Sequence, residues 1–231
     1  MKFFFNILFT FTTALFLHSQ TENGTLTIPG DFNFISVYSG IEVNLIRGDE
    51  NKIVLIEEKS DDTSTFGYKI KNRTLKLRAS LDKKLSLGNV YVDLYYKNEI
   101  EELKLFQGSK AIIKEPVIQT NFKINAKEGS FLEGSVITEK TTIEVATGGK
   151  VVLAGESSVL QIKATTGGIC SVEDIVSKQT NINASIGSVV HASSNLLMEA
   201  EASTGAIIRV HGNPEKLITK TVLGGRIKRI N

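Results

Sequence analysis

The sequence predicts an all-β protein, a single-domain parallel β-helix (β-solenoid) with coils of about 19 residues. Three observations support this prediction. Glycine recurs at a nearly constant interval along the second half of the chain, and the residues around each glycine alternate between apolar and polar types. No stretch shows a helical period over three turns. A fixed repeat of strand-forming segments without helices is typical of solenoids.

The composition limits the class of protein and its partners. The chain has 231 residues, of which 41% are hydrophobic and 23% charged, and its formal net charge is +2. These values favour a folded domain and exclude an intrinsically disordered chain. The small net charge gives no electrostatic reason to expect nucleic acid as a partner. The single cysteine excludes an internal disulfide and a cysteine-based zinc site.

Residues 1–19 have the layout of a secretory signal peptide. Lys2 precedes an uncharged apolar run from Phe3 to Leu17, and small or polar residues follow. The run is shorter than the ~20 residues of a membrane-spanning helix. We therefore expect export to the periplasm, the outer membrane surface or the extracellular medium, with no transmembrane segment in the mature chain. Residues 20–31 form an N-terminal lead-in.

Residues 32–231 are predicted to form the β-helix domain. Its first part, residues 32–100, contains strand-like segments separated by turn signals but lacks a clean register. We interpret it as irregular first coils that continue into the regular coils of 101–231, because no Pro/Gly/Ser-rich linker occurs near residue 100. The strands expected in the first part are 34–37, 42–45, 52–56, 68–70, 75–77 and 90–94.

Seven glycines mark the regular coils, with spacings of 21, 19, 19, 20, 18 and 19 residues: 108, 129, 148, 167, 187, 205 and 224. Apolar residues stand at odd offsets from each glycine and polar residues at even offsets, which is the period of a half-buried strand. The column five residues before the glycine is predicted to stack inside the helix and includes Ile124, Ile143, Ile162 and Ile182. The column four residues before it points outward and includes Lys163.

Each glycine and its small neighbour are predicted to form a bend between two strands, because glycine tolerates positive φ and close backbone approach. Paired glycines such as 148–149 and 167–168 stand between strands, so they do not form a phosphate-binding loop before a helix. Further turns are expected at 134–135, 155–156 and 212–214.

The chain resembles a known family in several short segments. The opening VYSGIEV of 37–43 is followed by IRG at 46–48, and repeats such as KINAKEGS at 123–130 and NINASIGS at 181–188 follow. These segments resemble the family named "putative auto-transporter adhesin, head GIN domain", a domain of unknown function common in Bacteroidetes envelope proteins. The resemblance spans roughly residues 32–230. It implies a β-helix and an adhesin-like role, and it supplies no catalytic residues to transfer.

Three features contain residue types that could form chemical sites. Cys170 falls in an inward column and is expected to be a core residue, because a reactive thiol needs exposure and a cationic neighbour. His191 and His211 are expected to point outward, one coil apart and displaced by two positions, without an evident third metal ligand. The adjacent acids Glu173 and Asp174 are expected to be solvated in the turn that leaves the Gly167 coil.

Other carboxylates are scattered over different columns, which disfavours the paired acids of a polysaccharide hydrolase. No catalytic, cofactor-binding or metal-binding residue is assigned, and no cofactor is expected. The candidate binding residues are the outward hydroxyls of Thr165, Ser185 and Ser203, which stand two residues before successive glycines. We expect no exposed aromatic side chain to join this ladder and stack on a sugar ring.

The sequence favours a non-enzymatic, exported cell-envelope protein whose β-helix is a binding or adhesin-like head with an unknown ligand. The expected partner is an envelope, glycan or protein ligand. The oligomeric state is left open. Two alternatives remain. One is a carbohydrate-active β-helix enzyme, a polysaccharide hydrolase or lyase, and the other is a structural or stress-related envelope component.

Overall fold

The computed structural model describes residues 24–38, 41–56, 66–79 and 90–230. These residues form nineteen strands and no helix, which confirms the all-β prediction. Accordingly, no helix capable of crossing a membrane occurs among them. The predicted signal peptide (1–19) and residues 20–23 of the predicted lead-in lie outside the described residues.

The strands are numbered in chain order: β1 Thr25–Thr27, β2 Phe34–Val37, β3 Ile41–Arg47, β4 Lys52–Ile56, β5 Phe66–Lys71, β6 Thr74–Ala79, β7 Val90–Tyr96, β8 Glu102–Leu105, β9 Lys110–Ile113, β10 Val117–Ala126, β11 Phe131–Val145, β12 Lys150–Ala164, β13 Ile169–Val176, β14 Gln179–Ala184, β15 Val189–Ser193, β16 Leu197–Ser203, β17 Ile207–His211, β18 Lys216–Val222 and β19 Arg226–Ile230. The six strands expected between residues 32 and 100 correspond to β2 through β7.

The regular coils stack in parallel with the register that the glycine columns predict. The first stack contains the strands before each glycine: β8, β10, the second halves of β11 and β12, β14, β16 and β18. The second stack contains the strands after each glycine: β9, the first halves of β11 and β12, β13, β15, β17 and β19. The β-helix prediction is therefore confirmed.

The predicted inward column is the core of the molecule. Ile124 pairs with Ile143, Ile143 with Ile162, and Ile162 with Ile182. All four side chains are buried, whereas Lys163, the next residue after Ile162, is exposed. Each buried aliphatic side chain contributes about 1.5–3 kcal/mol relative to exposure. Burial is shared between coils, so the coils stabilise one another.

The first coils have a spatial order that differs from their order in the chain. The coil of β2 and β3 pairs in parallel on one side with β6 and β7, and on the other side with β8 and β9. The intervening segment adds antiparallel pairs, with β4 on β7, β1 on β4 and β5 on β6. The sequence could not show this order because antiparallel and parallel strands share the same period of two.

The glycine bends are two-residue turns with positive φ at both central positions. In the first regular coil these are Gln107 (φ 56) and Gly108 (φ 70), and the Ser109 N–H donates to the Phe106 carbonyl at 3.1 Å. This geometry is that of a type I′ turn. The turns also stack, because the Gly108 N–H donates to the Glu128 carbonyl of the next coil at 2.9 Å.

The residue after each glycine contacts a carbonyl of the preceding coil. Where this residue is serine, its hydroxyl donates to that carbonyl, as Ser130 does to Leu105 at 3.1 Å. Where it is Gly149, an added Cβ would lie 2.3 Å from the Ala126 carbonyl oxygen. The column of small residues therefore has one physical cause, which is the close approach of the backbones of two coils.

Two of the predicted turns are strand residues instead. β11 runs through 134–135 and β12 through 155–156, and their parallel pairing continues across both positions. Gly134 and Gly155 bend the strands there without interrupting the ladder, with φ values of 159 and 115. The segment 212–214 lies between β17 and β18, as the turn prediction expected.

Candidate binding surface

The outward side chains of β13, β15 and β17 form a regular grid on the second stack. We call these nine residues the β13–β15–β17 face. Each strand contributes three alternate positions, and parallel pairing sets the rows side by side. The residues are Ile169, Ser171 and Glu173 on β13, Val189, His191 and Ser193 on β15, and Ile207, Arg209 and His211 on β17.

One row of this face is apolar although it points outward. Ile169 pairs with Val189, and Val189 with Ile207. Ile169 is 38% exposed, and the other two side chains are half-buried. The expectation of polar residues at even offsets is wrong at this column. The row is bordered by basic residues, since Lys150 pairs with Ile169 and Arg226 pairs with Ile207.

A β-bulge interrupts β13 next to Glu173. Val152 pairs with Ser171, but Ala154 pairs with Asp174, so β13 contains one residue more than β12 at this place. Bulges of this kind change the direction of side chains and are frequent beside functional sites. The expectation that the Glu173–Asp174 pair lies in a solvated turn is wrong, because both residues belong to β13 and Glu173 is half-buried.

Glu173 lies beside His191 and His211. His191 Nδ1 lies 3.2 Å from His211 Nε2, and the ring centroids are 5.4 Å apart. Glu173 Oε1 lies 3.9 Å from His191 Nδ1. The predicted displacement by two positions is correct, since His211 pairs with Ser193. The rings nevertheless reach each other along the diagonal, and Glu173 is the third ligand-type residue that the sequence did not reveal.

Arg209 fixes the hydrogen-bonding roles of the histidine pair. Its Nη1 donates to His191 Nε2 at 2.8 Å, so this nitrogen is an acceptor and the neutral ring carries its proton on Nδ1. That proton is then donated to His211 Nε2. Burial lowers the pKa of His191, Glu173 opposes this effect, and Arg209 and His211 lower the pKa further.

Two buried groups belong to β13, the strand that carries Glu173. Glu173 Oε2 is buried and has no hydrogen-bond partner among the described residues, which is rare for a carboxylate oxygen. Cys170 is buried in the core between Val151 and Val190, as the sequence predicted. Burial, and to a lesser degree the charge of Glu173, raise the pKa of the Cys170 thiol. Cys170 is therefore a packing residue and lacks the properties of a nucleophile.

The predicted hydroxyl ladder lies on the first stack. Ser185 Oγ donates to Thr165 Oγ1 at 3.1 Å, and Ser203 follows Ala202, which pairs with the residue before Ser185. All three side chains are half-buried. The structure brings Thr165 and Ser185 into contact, and a binding role for the three residues stays a prediction.

The column of the ladder also contains aromatic residues at its other end. Tyr38 and Phe106 stand two residues before Gly40 and Gly108, and their rings stack with centroids 5.1 Å apart. The Arg78 guanidinium lies 4.6 Å from the centre of the Tyr38 ring. Extending the offset count to Gly40 would have placed Tyr38 in this column. Both rings are half-buried, and Lys127 and Ala146 stand between Phe106 and Thr165 in this column. The expectation that no exposed aromatic joins the three hydroxyls stays a prediction.

A shallow groove of about 290 Å³ lies on the last coils of the first stack. Glu199 and Glu201 both line it, although the sequence analysis expected the carboxylates to be scattered. Asn181 Nδ2 donates to Glu199 Oε2 at 3.0 Å, and Lys220 Nζ donates to Glu201 Oε1 at 2.7 Å. Both carboxylates are thus engaged by neighbouring coils.

Comparison with known proteins identifies the fold. The sequence model of the family described as "Putative auto-transporter adhesin, head GIN domain" matches residues 31–214. No curated protein matches the chain. A crystal structure from Bacteroides fragilis NCTC 9343, described as a "putative adhesin", superposes with a TM-score of 0.80 at 13% identity, covering 89% of this chain and 95% of that one.

Two structures from Parabacteroides distasonis ATCC 8503 are also similar. One, described as a "putative adhesin", has a TM-score of 0.68 at 13% identity and covers 89% of this chain and 95% of that one. The other, described as a "putative lipid binding protein", has a TM-score of 0.64 at 12% identity and covers 90% of this chain and 96% of that one. At these identities the likeness concerns the fold alone.

Proposed function

Because the chain belongs to the auto-transporter adhesin head GIN domain family, we propose that it is an exported, non-enzymatic envelope protein that binds its ligand through the β13–β15–β17 face. The family description and the adhesin-like fold of the similar structures support the binding role. A stack of hydrogen-bonded coils is a rigid support. Binding therefore costs the ligand entropy but requires no reorganisation of the protein surface.

The observation that carries this proposal is the outward apolar row of Ile169, Val189 and Ile207. A contiguous row of outward-facing, partly exposed aliphatic side chains with polar borders is typical of interaction sites. Lys150 and Arg226 at its two ends, and Arg209 beside it, add positive charge. The complementary partner is a protein surface with an apolar ridge flanked by acidic groups.

The test is surface plasmon resonance of the full chain against envelope proteins and extracellular matrix proteins. Val189→Glu places a charge in the centre of the apolar row, and we expect it to weaken binding by about tenfold or more. Gln161→Glu adds the same charge at an exposed outward position of the first stack and should leave binding unchanged. Equal effects of the two variants would contradict the assignment of the face.

Other ligand classes are separate outcomes of the same measurement. Binding to vesicles that contain anionic lipid tests for lipid binding, since one P. distasonis structure is described as a "putative lipid binding protein". Glycan arrays test the hydroxyl ladder, where Ser185→Val removes the hydroxyl that donates to Thr165. If no protein, lipid or glycan bound in these measurements, the adhesive role would be contradicted and the structural or stress-related alternative would be favoured.

Export is part of the proposal and rests on the signal-peptide layout of residues 1–19. Deleting residues 2–19 should retain the protein in the cytoplasm, whereas the full chain should appear in the envelope or medium fraction. Cell fractionation with immunodetection measures this difference. Identical distributions of the two chains would contradict export through this segment.

A carbohydrate-active enzyme is the second candidate, and one observation favours it. Glu199 and Glu201 line the same groove, and acid pairs about 5–9 Å apart can hydrolyse glycosidic bonds. Against this, Asn181 and Lys220 already bind the two carboxylates. Reducing-sugar release from a polysaccharide panel, abolished by Glu199→Gln and by Glu201→Gln, would replace the binding proposal with this one.

A further inference from the structure

We propose that Glu173, His191 and His211 form a binding site for a divalent d-block metal ion such as Zn²⁺. The site lies on the β13–β15–β17 face, but the inference does not depend on which ligand that face binds. It rests on the juxtaposition of two imidazoles and one carboxylate from three successive coils. One ligand atom from each residue lies within 4.8 Å of the other two.

Two of the three ligand–ligand distances are close to those of a tetrahedral metal site. In a tetrahedral site with metal–nitrogen bonds of about 2.05 Å, neighbouring ligand atoms are about 3.3 Å apart. His191 Nδ1 and His211 Nε2 are separated by 3.2 Å, which already matches this edge. Glu173 Oε1 is 3.9 Å from His191 Nδ1 and must approach by about half an ångström.

The donor set indicates the class of metal. Imidazole nitrogens with one carboxylate suit Zn²⁺, Ni²⁺ and Cu²⁺, whereas Mg²⁺ and Ca²⁺ prefer oxygen ligands. All three residues are half-buried and face outward, so an ion can enter and water can occupy the fourth position. Among the residues that the structure describes, Glu173 Oε2 has no hydrogen-bond partner, and a bound cation would compensate its buried charge.

The backbone around Glu173 is held in place by a specific contact. Ser193 Oγ lies 2.9 Å from the Glu173 carbonyl oxygen and 2.9 Å from the Ile175 carbonyl oxygen. Its hydroxyl therefore ties the bulge of β13 to β15, the strand that carries His191. This contact holds the backbone of Glu173 beside β15 without requiring the ion to order it.

Arg209 should compete with the metal. Coordination through His191 Nδ1 requires the ring proton to move to Nε2, and Arg209 can then no longer donate to that atom. The guanidinium charge also repels a cation. In Arg209→Gln the charge is gone, and the amide oxygen can accept the Nε2 proton as an outer-shell partner. This variant should bind the ion more tightly than the native chain.

The test is isothermal titration calorimetry of the untagged full chain with Zn²⁺. The chain carries His18→Gln, so that His191 and His211 are its only two histidines. We expect saturable binding of one ion, with no comparable heat from Mg²⁺. His191→Gln and His211→Gln should abolish this binding, and Glu173→Gln should weaken it by about tenfold. Arg209→Gln should strengthen it by about fivefold or more. Glu139→Gln removes an exposed carboxylate of β11 and is the matched control.

The outcomes are distinguishable. No saturable Zn²⁺ binding, or binding that survives both histidine substitutions, would overturn the site. Binding lost with the histidines but unchanged in Glu173→Gln would overturn the three-ligand assignment. Circular dichroism checks that each variant is folded, and the gain expected from Arg209→Gln cannot result from misfolding. Failure of Val189→Glu to affect protein binding would leave these results intact, so the two proposals fail separately.

Discussion

At the scale of single residues, backbone geometry decides which side chains the bends accept. The residue before each turn glycine has a positive φ although it is never glycine in the seven regular coils, as with Thr166 (φ 49) and Ile186 (φ 51). β-Branched residues rarely adopt this conformation because their Cβ crowds the following carbonyl. The turns therefore hold local strain that the stacked hydrogen bonds of neighbouring coils offset.

Ile186→Gly should stabilise the protein. Ile186 is 52% exposed, so little burial is lost, and relief of the left-handed strain should raise the free energy of unfolding by about 1 kcal/mol. Ile169→Gly is the control, because Ile169 lies in a strand without positive φ, and it should destabilise by about 1 kcal/mol. Urea unfolding followed by circular dichroism measures both, and shifts of the same sign would contradict the strain argument.

Cys170 should react with thiol reagents only after unfolding. Its side chain is fully buried, and burial raises its pKa, so the native protein presents neither an accessible thiol nor a thiolate. Ellman's reagent at pH 8 should detect no thiol in the native chain and one in guanidinium chloride. Rapid native labelling would show that this core position opens readily.

At the scale of strands, the columns distinguish inward from outward residues and locate the exceptions. Ile162 and Lys163 are neighbours in β12, yet one is buried between coils and the other is exposed. The β13 bulge breaks this alternation after Glu173, where Asp174 is also exposed. Strand pairing therefore sets the general pattern, and the bulge is its exception in β13.

Ile162→Asp should disrupt the stack, because a charge would enter the core without a partner, at a cost of about 4 kcal/mol or more. Lys163→Asp should cost no more than about 1 kcal/mol, arising from repulsion by Glu144 in the adjacent coil. Thermal melts followed by circular dichroism compare the two. Similar melting temperatures would mean that the inward and outward assignments are wrong.

At the scale of the whole molecule, the coils act as repeats that depend on their neighbours. Every regular coil pairs in both stacks with the coils beside it, and the buried apolar column runs through them. In such an architecture stability is the sum of coil and interface contributions. Removing one complete coil should therefore be tolerated better than removing part of one.

Deletion of residues 130–148 removes one coil and joins Gly129 to Gly149, which keeps every column in register. We expect a folded β-rich chain with a melting temperature lower by several degrees, since one interface is lost. Deletion of 130–139 removes half a coil, turns inward residues outward and should abolish cooperative unfolding. Circular dichroism melts would contradict the repeat assignment if the shorter deletion were the milder one.

The sequence by itself determined the all-β class, the 19-residue coils, the inward isoleucine column, the glycine bends and the buried position of Cys170. These properties depend on side-chain periodicity and on glycine geometry, both of which are local. The tertiary structure decided three further features: the spatial order of the first coils, the groove of Glu199 and Glu201, and the cluster of Glu173, His191 and His211.

The 20-residue spacing between Gly167 and Gly187 was visible in the sequence as one extra residue. Its place in the coil was not, because an extra residue can be absorbed in a turn or in a bulge. Only the pairing of β12 with β13 places it at Glu173. Contacts between coils depend on the lateral alignment of strands some twenty residues apart, and that alignment is set by the packing of the whole stack.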